Sequence, residues 1–262
     1  MKNIKKPKFT TIIGIILFIS LFFSLGYAVV KFIQAPVSIP DSELYQKVKS
    51  DYLLMITQCG LGILVMALPS FISKKLKVVV PNAIVVIYYI FLYCAIYLGE
   101  IKNFYYHIPY WDAALHFFSG AMLGALGFIL VDILNRDKNV KVDLSPFFVA
   151  LFAFSFALAI SVLWELYEYA FDDFLGLNMQ KFRTESGTPL PGREALSDTM
   201  EDMYLATIAA LIPTIIGYIS SKFELRNKFK LKESTEIPIE SEITDDISSE
   251  ENETQKETAM TN

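Results

Sequence analysis

The sequence predicts an all-α protein, a polytopic bundle of six membrane-spanning helices, and three observations carry that reading. Six apolar stretches reach the roughly 20 residues that a helix needs to cross ~30 Å of hydrocarbon. Segments such as Ile12–Phe23 and Ala83–Leu98 lack the polar stripe at period 3.6 that a soluble core helix shows. Lysine and arginine then concentrate on alternate connections, the asymmetry that orients membrane helices.

The first span, about 10–30, follows Lys2, Lys5, Lys6 and Lys8. Its basic start and Gly26-Tyr27-Ala28 imitate a cleaved signal peptide, but the apolar run continues through Val29 and Val30. That run is longer than a signal core, so it reads as an uncleaved anchor. Pro36 and Pro40 break the chain, and Asp41–Asp51 fits a short interfacial helix. Spans two and three occupy about 52–72 and 78–99, joined through Lys74, Lys75 and Lys77. Between spans three and four, Tyr105, Tyr106, Tyr110 and Trp111 form an aromatic belt. Span four covers about 112–134 and span five about 146–170, joined by a short basic link with Arg136, Lys138 and Lys141. The longest connection, Phe174–Ser197, contains Gly176, Gly187, Pro189, Pro191 and Gly192, which interrupt regular structure. Span six covers about 200–220.

The formal charge of −5 over 262 residues hides a division. Residues 233–262 carry ten acids and one lysine, a net of −9, so residues 1–232 carry +4. The membrane domain is therefore 1–232. The tail 233–262, rich in Glu, Ser and Thr, cannot bury a core and is expected to be disordered. With the N-terminus inside, inner segments hold fifteen Lys and Arg and outer segments seven, which places both termini in the cytoplasm. The body's basic excess is small and scattered, which excludes nucleic acid as a partner. Cys59 and Cys94, both inside apolar runs, exclude a disulfide scaffold.

Ionisable side chains inside spans are costly, ~2.5–3.5 kcal/mol each at the bilayer centre on insertion scales, and so mark function. Spans four to six hold nearly all of them, at the outer end. Asp112 and His116 are four apart and share a helix face, which continues through Gly120 and Gly124 as a G-x-x-x-G step for close helix packing. Span five ends in the stripe Ser161, Glu165, Glu168 and Asp172, and span six opens with Asp198 and Asp202. The topology brings Asp112, His116, Glu165, Glu168, Asp172, Asp198 and Asp202 to one depth. Six carboxylates cannot all stay ionised and unpaired there. They require shared protons, a divalent cation, or pairing with Lys181, Arg183 and Arg193. Plainer roles fit some of them equally: Glu168, Asp172 and Asp173 sit where acids snorkel to the interface, and Asp112 with His116 would also serve as interhelical glue.

Two histidines, His107 and His116, are too few for a multi-histidine zinc site, and H-E-x-x-H is absent. Carboxylates with one imidazole suit Mg²⁺, Ca²⁺ or Mn²⁺. A Ser119-His116-Asp112 triad is discounted because nucleophile and base share one helix segment and no G-x-S-x-G elbow occurs. In the leading reading, His116, Asp112 and Glu165 are the catalytic residues, with His116 as base or ligand and Asp112 orienting it. Glu165, Glu168, Asp198 and Asp202 hold the cation. The alternatives are an ion or proton transporter and a non-catalytic sensor or accessory protein. The inner halves of spans four to six are apolar apart from Asp132, which disfavours a conduit.

Asp112-x-x-x-His116-Phe117-x-x-Gly120, Glu165-x-x-Glu168 and Asp198-Thr199-x-x-Asp202-Met203 together resemble the YjdF-type family of bacterial inner-membrane proteins. They are more distantly similar to VanZ-like membrane proteins, in which a D-x-x-x-H element also opens a span. The resemblance covers about Trp111 to Ala210. It implies a shared outward site but no particular reaction, and the VanZ-like likeness, through its association with glycopeptide tolerance, implies a role in the envelope. Ala113 and Ala114 stand where the Arg-rich version of the first motif is basic. The expected protein is thus a multi-pass protein of a bacterial plasma membrane, in contact with membrane lipids and acting on an envelope lipid or cell-wall precursor.

Overall fold

A computed structural model describes residues 8–38, 47–76, 80–135 and 144–260. Lys2, Lys5, Lys6, Lys77, Arg136, Lys138, Lys141 and residues 41–46 of the expected interfacial helix lie outside the described residues. Among those described the chain is helical, with no strand and a single isolated bridge between Arg183 and Pro189. Six helical segments are long and apolar enough to cross a membrane: Phe9–Gln34, Lys49–Lys75, Asn82–Ile101, Trp111–Val131, Pro146–Leu175 and Gly192–Asn227. Each lies over one of the six expected spans. Side chains such as Ile15, Phe22, Phe147, Leu163, Ile212 and Ile216 point away from the protein along these helices, an apolar exterior suited to lipid.

The first helix, α1 (Phe9–Gln34), packs on α2 (Lys49–Val65) through Leu17, Leu21 and Cys59. The second span is not one continuous helix, as the sequence predicts, but α2 followed by α3 (Leu68–Leu76). Pro69 is the cause, since it has no N–H to give the carbonyl of Val65 four residues earlier. A bare carbonyl in lipid is costly, and the third span supplies the substitute donors. In α4 (Asn82–Leu92), the Tyr88 hydroxyl donates to the Val65 carbonyl at 3.0 Å and the Tyr89 hydroxyl to the Met66 carbonyl at 3.2 Å. Tyr88→Phe keeps the ring but orphans that oxygen, and we expect a loss of about 1 kcal/mol. That corresponds to a Tm about 2–4 °C lower in detergent. An unchanged melt would show that the carbonyl needs no donor.

The third span continues from α4 into a π-helical segment, Tyr93–Ile101. A short helix, α5 (Phe104–His107), leads to α6 (Trp111–Asn135). Helix α7 (Pro146–Leu175) starts conventionally, with Pro146 in its first turn and the Ser145 hydroxyl accepting from the Phe148 N–H at 3.2 Å. It ends at Gly176, whose φ of 65° is the left-handed cap that glycine accommodates freely.

Helices α6, α7 and α8 (Gly192–Met260) form the second half of the bundle. Small residues set their spacing. A Cβ on Gly120 would lie 2.7 Å from the Ala206 Cα, and one on Gly124 would lie 2.9 Å from the Ala210 carbonyl oxygen. A Cβ on Gly127 would lie 2.5 Å from the Ala153 Cα. The backbones thus meet directly along the G-x-x-x-G face, as the sequence predicts for that spacing.

Helix α8 does not stop at the membrane: its backbone stays helical to Met260.

Candidate functional site

The elements above converge at one end of the α6–α7–α8 half. Tyr110, in a left-handed conformation at φ 60°, turns the chain into α6, whose first turn carries Asp112. One turn on, His116 faces inward with 11% of its side chain exposed. Its Nε2 lies 3.6 Å from Asp112 Oδ1 and 3.8 Å from Asp202 Oδ2. Its other ring nitrogen, Nδ1, lies 3.8 Å from Glu165 Oε1. One imidazole therefore stands between three carboxylates contributed by three helices. The glycine contacts one turn deeper make this possible, because α8 comes close enough to α6 for Asp202 to reach His116.

Asp112, His116 and Asp202 present donor atoms all within 4.8 Å of one another. Glu165 and Asp202 are buried, and Glu165 Oε1 has no hydrogen-bond partner among the described residues. The Ser119 hydroxyl donates to the His116 backbone carbonyl at 3.0 Å, so it is engaged by its own helix and not aligned with the imidazole. This agrees with discounting the triad.

The other acids expected at this depth divide. Glu168 and Asp198 are half-buried, within electrostatic reach of Asp112 and Lys181, but neither joins the three-residue donor group. The set expected to hold a cation was Glu165, Glu168, Asp198 and Asp202; the structure places Asp202 in the donor group and Glu165 at its edge. Helix rotation is the reason, since three residues along α7 turn Glu168 about 60° from Glu165. Asp172 does a different job. Its Oδ1 accepts from the Met179 N–H at 2.7 Å and its Oδ2 from the Gln180 N–H at 3.0 Å, tying the loop after α7 back onto the helix.

That loop is anchored over the cluster. Leu177 and Met179 are buried with Leu54 of α2, beside Tyr167 and Phe171. The Gln180 side-chain amide donates to the Thr199 hydroxyl at 3.2 Å. Arg183 turns to the loop's own carbonyls, Leu177 at 2.8 Å and Gly176 at 3.3 Å, and makes no ion pair within 4 Å among the described residues. Arg193 is exposed.

Lys181 is the cation that does enter. At φ 53° it directs its side chain down, with Nζ 3.7 Å from Glu100 Oε2 and 4.5 Å from the centre of the Tyr105 ring. Burial disfavours its charge, but Glu100, Tyr106, Asp112 and Glu168 outweigh burial and push its pKa above the ordinary lysine value. The same surroundings act on Tyr105. Burial, then Asp112 and Glu100, hold its phenol well above the usual range, so it stays a proton donor at the rim of the cluster.

Glu100 was missed by sequence reasoning. It stands alone at the end of an apolar run, with no ionisable partner three or four residues away. The available signal was its position at the same membrane end as Lys181. The aromatic belt also needs revision. Tyr110 is 82% exposed, but Tyr105 packs against Gly99 and Trp111 sets its ring edge-on to Phe104 at 5.0 Å.

A cavity of about 50 Å³ lies at the same end of the bundle, lined in part by Lys47, Asp51, Glu100, Asn103, Tyr106 and Arg183, with room for a few waters. Lys47 Nζ donates to Asn103 Oδ1 at 2.8 Å, and the Asn103 amide donates to Glu185. This chain fastens the loop at Glu185 to Asn103 and to Lys47, just before α2.

The family resemblance read from the three motifs is borne out: residues 42–223 match the family model described as "Predicted membrane protein (DUF2238)". The match takes in five of the six spans and every residue of the cluster. No curated protein and no solved structure matches the chain.

Proposed function

The chain belongs to the DUF2238 family of predicted membrane proteins, and from that premise we propose that its His116 cluster is an outward-facing site of a plasma-membrane protein. Both termini lie in the cytoplasm, a topology supported by fifteen Lys and Arg on the inner segments against seven on the outer. The cluster binds or acts on an envelope lipid or cell-wall precursor; a divalent cation held there would polarise a phosphate, with His116 serving as base or ligand. Asp112 orients the imidazole, Glu165 faces its other nitrogen, and Glu168 and Asp198 form an acidic rim that draws cations in.

One observation carries this reading. His116 is buried between Asp112, Asp202 and Glu165 at 3.6, 3.8 and 3.8 Å, at one end of three helices. Ionisable groups so placed in a membrane protein mark function more often than packing. A conduit reading is weighed down by the layer beneath, where Gly120 and Gly124 meet Ala206 and Ala210 backbone to backbone.

The test is complementation. A deletion strain is profiled for envelope lipids and cell-wall precursors, then supplied with wild type, His116→Ala, Glu165→Gln or Asp202→Asn. Wild type restores the profile, and each variant falls short by ten-fold or more. Full restoration by all three variants overturns the proposal. In proteoliposomes, ion or proton flux above protein-free vesicles is not expected; flux that His116→Ala abolishes would move the function to transport.

A further inference from the structure

We infer that Asp112 Oδ1, His116 Nε2 and Asp202 Oδ2 are the protein ligands of one first-row divalent cation of the Mn²⁺ class. Glu165 stands outside that ligand set as the residue that positions the imidazole. This deepens the proposed function by naming the ion and its ligands, and it reassigns Glu165, Glu168 and Asp198.

The distances carry the inference. At 3.6 and 3.8 Å, the two aspartates are too far from Nε2 for hydrogen bonds, yet too close to be unrelated. Donor atoms bound to a common ion at about 2.0–2.3 Å lie roughly 3–4 Å from each other. Both aspartates also converge on the same nitrogen. One N–H can serve only one of them, whereas one cation serves both and leaves the imidazole neutral.

A second, independent observation comes from the opposite side of the ring. Glu165 is 7% exposed and the Gln180 side chain hydrogen-bonds its carboxylate, while its Oε1 has no hydrogen-bond partner among the described residues and stands 3.8 Å from His116 Nδ1. A histidine that ligates through Nε2 offers its Nδ1–H to a carboxylate, which fixes the tautomer and the ring plane. Glu165 Oε1 faces Nδ1 from just beyond hydrogen-bond range, the place such a positioning carboxylate takes once Nε2 is engaged. Two carboxylates and one imidazole form a mixed donor set that favours Mn²⁺ over Mg²⁺ or Ca²⁺, with Zn²⁺ the natural competitor. Three protein donors leave coordination positions open for water or a substrate oxygen.

The experiment uses the full chain in detergent, stripped with EDTA and titrated with MnCl₂ while electron paramagnetic resonance counts free Mn²⁺. We expect one ion per chain. Asp112→Asn and Asp202→Asn weaken binding more than ten-fold, Glu165→Gln weakens it roughly ten-fold with the stoichiometry kept, and Glu168→Gln and Asp198→Asn stay within about two-fold. Electron spin echo modulation on the wild type should show imidazole nitrogen coupled to the bound ion, a readout that does not depend on any variant folding. Absence of stoichiometric Mn²⁺ or Zn²⁺ binding, absence of nitrogen coupling, or losses confined to Glu168 and Asp198 would overturn the assignment. Failure of this inference and of the proposed function are distinguishable. An ion bound as described, with His116→Ala, Glu165→Gln and Asp202→Asn all complementing fully, leaves the site and removes the envelope role; a His116-dependent envelope defect without ion binding does the reverse.

Discussion

Gly120→Leu should leave a protein that inserts into the membrane but no longer holds α6 against α8. The neighbour of Gly120 is the Ala206 backbone, 2.7 Å from where a Cβ would sit, and backbone cannot rotate away as a flexible side chain can. Gly124 repeats the constraint one turn deeper, with Pro213 Cγ at 2.8 Å. Relief requires the two helix axes to move apart, and overpacking of this kind costs about 1–3 kcal/mol or more. Without a hydrophobic force between helices in lipid, close packing is much of what holds them, so we expect the upper end, a Tm lower by about 6–12 °C. The cluster suffers with the fold, because Asp202 reaches His116 only while α8 lies against Gly120. Mn²⁺ binding should fall below detection. Gly60→Leu is the matched control, since nothing lies within 4 Å of a Cβ there, and its melt should stay within about 0.5 kcal/mol of wild type. Equal melts for the two variants would show that the glycine contact does not hold the pair.

The same contrast explains how much the sequence could disclose. Membrane spans are legible because twenty apolar residues in lipid have few other fates, and all six expected spans correspond to helices. Asp112, His116, Gly120 and Gly124 are legible as one face because helical spacing is rigid over two turns. Which acids meet His116 is not, because membrane depth ranks residues along an axis and says nothing of rotation about it. Glu165 and Glu168 share a depth, yet only Glu165 comes within 4 Å of the ring. Asp172 looked like a further member and instead accepts two backbone N–H groups from residues seven and eight positions on, a partnership set by how the loop folds back. The break at Pro69 was visible as a proline, but its repair by Tyr88 and Tyr89 depends on the register between α2 and α4. Glu100 was the least visible, because its partner Lys181 is eighty-one positions away and reaches it only through a left-handed turn.

That ion pair supports the other large effect. Glu100 and Lys181 expose 11% and 14% of their side chains, so removing one partner leaves a buried charge without its counterion. Such losses cost about 3–5 kcal/mol, and Lys181→Met should lower the Tm on the order of 10 °C. The double variant Lys181→Met with Glu100→Gln should recover most of the loss, because the penalty lies in the orphaned charge more than in the missing attraction. The alkaline limb supplies a second check. Lys181 is held above the ordinary lysine value, so its contribution is complete below about pH 10.4, where an unfolded lysine is charged, and is lost as pH rises through the higher folded value. Wild type should therefore melt at the same temperature at pH 7 and pH 9 as far as this pair is concerned. Only above about pH 10.4 should it lose stability that the double variant never had. The loop should loosen first: with Lys181 gone, Leu177 and Met179 still anchor its start, but the segment that runs on to Pro189 loses its ion pair with Glu100 of the third span. Proteolysis between Phe182 and Pro191 should then outpace unfolding of the helices in Lys181→Met, and in the double variant as well. Cleavage rates equal to wild type in both would place the loop's hold in the apolar anchors and the Lys47–Asn103–Glu185 chain alone.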